Sequence, residues 1–102
     1  MTTATDKQIS HLVQELGETA TLANSYFDLY MRTEDTERRN KCRNRWGAYT
    51  DARSDAELRL FRTMTALNIV HAVSDHFTAS IQDKGNGPFV QLRNRETGEV
   101  IE

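Results

Sequence analysis

The chain is poor in residues that break regular structure: one proline and five glycines in 102 residues. That excludes a loop-rich fold and favours long unbroken elements. It also lacks cysteine pairs. Cys42 stands alone, so no internal disulfide can form, and a thiol without metal-ligating neighbours behaves as a small buried hydrophobe. No apolar run approaches the ~20 residues of a membrane span, and no apolar segment follows a basic start at the N-terminus. The expectation is a cytoplasmic domain with no membrane partner. Internal repeats, low-complexity segments and linkers are also missing.

What is present is a mixture that folds. Hydrophobic residues make up 37% and charged residues 27%, with a net charge of −2. One domain spanning 1–102 follows from the length. Folding at this size buries roughly 60–65% of the unfolded surface, which gives a modest core.

Periodicity organises the chain into a mainly α protein. Ile9, Leu12, Leu16, Ala20, Ala23, Tyr26 or Phe27, and Tyr30 recur every three or four residues and predict a helix over 5–32. Thr5 with Gln8 fits a capping box at its start. Gly17 costs that helix about 1 kcal/mol, and marks either a close crossing or a tolerated surface position. A shorter basic helix is expected over 34–52, capped by Thr33, with Cys42, Trp46 and Tyr49 as a narrow apolar stripe. Ser54 with Glu57 suggests another cap and a third helix over 55–83, with Leu60, Met64, Leu67, Val70, Val73, Phe77 and Ile81 as its stripe. Gly85 is placed to end that helix, although residues 78–83 alternate and could instead form a strand turned by Gly85-Asn86-Gly87. A β-hairpin closes the chain over 88–102, with Arg93 opposite Glu99 and Leu92 opposite Val100. Leu16, Phe27, Leu60, Leu67 and Phe77 are the expected core.

The reading is therefore two long antiparallel helices, a basic linking helix and a C-terminal hairpin. At 1.5 Å per residue the long helices reach roughly 40 Å, against a radius of gyration of about 13 Å for a compact domain of this size. Such helices overhang, and an intertwined or side-by-side homodimer would cover them.

Catalytic and metal constellations fail on geometry. His71 and Asp75 share a helical face at i, i+4, but His76 points about 140° away, so three ligands cannot converge. His11 with Glu15 is a second such pair. Neither a phosphate-binding loop nor a nucleophile elbow is present. No enzyme, cofactor or metal is expected.

Charge is the informative feature. Arg38, Arg39, Lys41, Arg43 and Arg45 place five cations in eight residues without an anion, on a chain whose first 37 residues are net acidic. They flank Trp46 and Tyr49, and Arg, Trp and Tyr are the residues enriched at binding hot spots. These seven residues form the candidate partner-binding site, unless Trp46 and Tyr49 only complete the core. The expected function is a small non-enzymatic regulator or inhibitor that binds a host or target protein. Its size and lack of a catalytic site match inhibitors carried by phages and mobile elements, which is analogy alone. The alternative is a nucleic-acid-binding accessory protein that meets phosphates through the basic helix 38–45.

Overall fold

The computed structural model describes the backbone from residue 4 onward and the side chains from residue 5 onward. Two long helices precede a four-stranded antiparallel sheet: α1 (Ala4–Arg32), α2 (Thr36–Ala66), β1 (His71–Val73), β2 (Phe77–Asp83), β3 (Pro88–Asn94) and β4 (Val100–Ile101). The strand order is β1-β2-β3-β4, a simple meander.

The helices form an antiparallel hairpin joined by the short turn 33–35. Thr33 ends α1 rather than capping α2: its N–H and its hydroxyl both donate to the Leu29 carbonyl, at 2.9 and 2.6 Å. Asp35 is the N-cap of α2 and accepts from the Arg38 N–H at 3.3 Å. α1 is already helical at Ala4, so Thr5 lies inside it and not at a cap.

The expected break between residues 52 and 55 does not exist. The basic helix 34–52 and the first part of the expected third helix are one helix of 31 residues. Ser54 and Glu57 mimic a capping box, but no glycine or proline lies between Gly47 and Gly85 to interrupt the hydrogen-bond ladder. The expected helix over 55–83 instead stops at Ala66. Asn68 takes φ 56°, the Ile69 N–H reaches the Met64 carbonyl at 2.8 Å, and the Asn68 N–H reaches Thr65 at 3.1 Å. This is a Schellman motif with asparagine in the left-handed position where glycine is commoner. The chain then turns into strands.

Residues 77–83 are a strand, the alternative that their alternation allowed. They pair with 88–94 in full register, Phe77 opposite Asn94 and Asp83 opposite Pro88. Gly85 and Gly87 make the turn with φ 96° and 94°. The final hairpin is shifted by one residue from expectation. Leu92 faces Ile101 and Arg93 faces Val100. A one-residue slip reverses every side chain, and this register turns Ile101 to the core and Val100 to water. The Asn94 side chain sets the offset by accepting from the N–H groups of Glu96 and Thr97.

The sheet lies across one face of the helical hairpin, β1 and β2 against α1 and β3 against α2. Ile9, Leu12, Val13, Leu16 and Ala20 of α1 meet Ala56, Leu60 and Met64 of α2, and Ala72, Phe77, Ala79, Val90 and Leu92 close the core from the sheet. Leu16, Leu60 and Phe77 are buried as expected. Phe27 and Leu67 are not: Phe27 lies beyond the sheet, and Leu67 is the cap residue of α2, at the helix surface. Gly17 is a close-approach position, since a Cβ there would overlap the Phe77 ring.

The molecule is elongated, 50 × 34 × 24 Å with a radius of gyration of 15.2 Å. The helices run past the sheet, leaving the turn end of the hairpin as an overhang. The hairpin tail docks on its own helices: an oxygen of Glu102 accepts from Asn24 Nδ2 at 3.0 Å and Arg53 Nη1 at 2.9 Å. No helix of the described residues is long and apolar enough to cross a membrane.

Candidate interaction surface

The overhang is built from aromatics. Tyr26, Phe27 and Tyr30 occupy the inner face of α1 beyond Ala23, and Trp46 and Tyr49 occupy the facing stripe of α2. Tyr26 stacks on Tyr49 with centroids 5.5 Å apart and planes 4° from parallel. Phe27 meets Trp46 at 5.2 Å and Tyr30 meets it at 6.3 Å. Such pairs contribute about 0.5–1.5 kcal/mol beyond burial. They hold the two helices together where the aliphatic core has ended. Trp46 and Tyr49 thus pack on α1, half-buried and outside the core cluster.

The five cations of 38–45 separate into two groups. Arg38 and Lys41 lie in exposed pairs along their own helix, 3.9 Å from Asp35 and 3.7 Å from Glu37. Their side chains are more than two-thirds exposed, so these pairs contribute little. Arg39, Arg43 and Arg45 have no carboxylate within ion-pair distance among the described residues. Arg39 lies over the Tyr30 ring, 4.7 Å from its centroid. Arg45 lies over Tyr26 at 5.6 Å and donates from Nη1 to the Tyr26 hydroxyl at 3.0 Å. That hydrogen bond holds the Arg45 guanidinium above its ordinary value.

Helical angles show which side is open. At 100° per residue, Phe27 and Met31 share the flank of α1 that carries Val13, Gly17 and Ala20 under the sheet. Arg39, Arg43 and Trp46 likewise share the flank of α2 that carries Glu57 and Phe61, which line a groove with Pro88, Phe89 and Val90 of β3. The cover stops but the face continues. Ala23 is 3% exposed, whereas Phe27 is 40% and Met31 63% exposed. Arg39, Arg43, Trp46 and Tyr49 were already among the candidate residues of the sequence; Tyr26 and Tyr30 stood there only as part of the helical stripe, and Met31 was not singled out. Three aromatics within five residues, Tyr26 to Tyr30, were the available signal.

The histidines fall elsewhere. His71 is in β1 and Asp75 in the β1–β2 turn, so the helical i, i+4 relation between them does not exist. His76 Nδ1 lies 3.0 Å from Gln14 Nε2, within hydrogen-bond distance. The Gln14 carbonyl oxygen accepts from the buried Ser74 hydroxyl at 2.9 Å, and Ser74 Oγ accepts from the Phe77 N–H at 3.1 Å. This network pins the β1–β2 turn to α1. Glu15 does not pair with His11. It bridges to Arg59 of α2 at 2.7 Å, and that contact raises the Arg59 guanidinium above its ordinary value. No group of three or more metal-ligating side chains converges among the described residues. Comparison with family models, curated proteins and solved structures found no match to this chain.

Proposed function

We propose that the chain is a small non-enzymatic regulator or inhibitor that binds a partner protein through the overhanging end of its helical hairpin. The observation that carries this reading is the abrupt end of cover past Ala23. The sheet-side face continues without the sheet, and it presents Phe27, Met31 and Trp46 beside Arg39 and Arg43. Exposed apolar groups gathered at one place and rimmed by arginine are what a protein-binding patch requires. Phosphate recognition by the same cations is the competing reading. A phosphate backbone offers nothing to cover Phe27 and Met31, so the apolar floor favours protein. Homodimerisation would use the same face, with a second copy as the cover.

The test is a photo-crosslinking residue at position 31, compared with one at Asn86 on the exposed β2–β3 turn. Crosslinking in the source cell should give a discrete protein adduct from position 31 and none from 86. Adducts from 86 alone, or none from either site, refute the reading.

A further inference from the structure

We infer that the partner presents an amphipathic helix whose apolar stripe is flanked by carboxylates, laid along the overhang beside the end of the sheet. The inference rests on the reading that this face binds protein, and it names the chemistry of what is bound. Two properties of the open face carry it. The first is its charge. Arg39 and Arg43 border the floor formed by Phe27, Met31 and Trp46, and neither has a carboxylate partner among the described residues. Arg39 instead rests on the Tyr30 ring, which holds the guanidinium in place while leaving its charge uncompensated. Carboxylates on the occupant would complete both arginines, each guanidinium donating to a carboxylate bidentately.

The second property is the backbone available. An added strand needs a sheet edge to pair with, and the overhang is made of two helices only. A helix satisfies its own backbone and needs only side-chain cover. Laid against α1 and α2 here, it would occupy the layer that the sheet occupies over the other half of the hairpin.

The probes are two synthetic fifteen-residue helical peptides with one shared leucine stripe, flanked by glutamates in one and by lysines in the other. Trp46 is the sole tryptophan, so its emission reports the site directly. The glutamate peptide should shift Trp46 emission saturably and weaken as salt rises. The lysine peptide should bind at least tenfold more weakly, about 1.4 kcal/mol. Replacing both Arg39 and Arg43 by Glu should reverse the preference. Arg43→Glu alone, at a position without an ion pair, should reduce it and keeps the test available if the double variant does not fold. Equal binding of the two peptides, no response to either at about 1 mM, or a preference that survives both variants overturns the inference. So does a Trp46 shift that follows protein concentration with a doubled mass in sedimentation equilibrium, which would make a second copy the occupant. Displacement of the glutamate peptide by random duplex DNA overturns it in favour of phosphate. A crosslinked partner from position 31 together with a failed peptide preference refutes only the acidic chemistry. No crosslink from position 31 refutes the binding reading beneath it.

Discussion

Replacing Gly17 by alanine sets two effects of opposite sign against each other, and the structure decides between them. In an isolated helix the change stabilises by about 1 kcal/mol, because alanine loses less backbone freedom on folding. Here Gly17 is buried at mid-helix, and a Cβ would overlap three carbons of the Phe77 ring. The ring cannot retreat cheaply. Phe77 is 8% exposed, its N–H is held by Ser74 Oγ at 3.1 Å, and its carbonyl accepts from the Ser74 N–H at 2.8 Å. Overpacking costs about 1–3 kcal/mol, and a collision with a fixed ring lies toward the upper end. The net expectation is a destabilisation of about 1–2 kcal/mol, the difference of those two estimates. The sign should reverse when the ring is removed. Phe77→Ala costs about 3–5 kcal/mol by itself. In that background Gly17→Ala meets no ring, and the helix gain of about 1 kcal/mol remains. Urea unfolding of the four proteins, followed by far-ultraviolet circular dichroism and by Trp46 fluorescence, gives the coupling between the sites. Stabilisation by Gly17→Ala in the natural background would show that Phe77 does not lie on this helix.

Other substitutions test other joints of the fold by the same unfolding measurement. Leu60→Ala should cost about 2–5 kcal/mol, because Leu60 is fully buried between the helices and the sheet; Leu67→Ala, at the exposed end of α2, should cost less than about 0.5 kcal/mol. Asn68→Gly should be neutral within about 0.5 kcal/mol, whereas Asn68→Ala should cost about 1 kcal/mol, since φ 56° suits glycine and asparagine but not alanine. Ser74→Ala should cost about 1–3 kcal/mol, the penalty for leaving the Phe77 N–H buried without its acceptor.

The parts of the fold legible in the sequence are those fixed by local pattern. Ile9 to Ala23 and Leu60 to Met64 are spaced for one helical face, and that face is the core. The seam position of Trp46 and Tyr49 followed from the same spacing. The errors came from coincidences of pattern. Leu67, Val70, Val73, Phe77 and Ile81 recur at three and four and so imitate a helix, while the strand's own inward set includes Ala72 and Ala79, too small to announce itself. The decisive stop, Asn68, is a residue that adopts the left-handed conformation less often than glycine. Ser54 and Glu57 erred in the other direction, as ordinary helical polar residues at capping-box spacing. The Gly17–Phe77 packing joins residues 60 apart and has no local signature. The same holds for the site: Arg39 and Arg43 were visible as charge, but which face they border depends on where the sheet ends.

On the proposed reading, that end point would let one hairpin serve two purposes. Over its first half the helices share the buried core with the sheet. Over the second half aromatic contacts join them, with Arg39 and Arg45 resting on tyrosine rings and Arg45 donating to the Tyr26 hydroxyl. Flat rings stack without needing a third layer, so this half can stand uncovered, where a leucine seam left open would invite collapse or aggregation. Of the two arginines on the open face, Arg39 is held in place by its contact with the Tyr30 ring. On the proposed reading, less of the Arg39 side-chain freedom would be lost on binding, which leaves more of that contact's energy to appear as affinity. The covered half needs no rearrangement for this. A partner would meet a face already formed, held in place by a core it never touches.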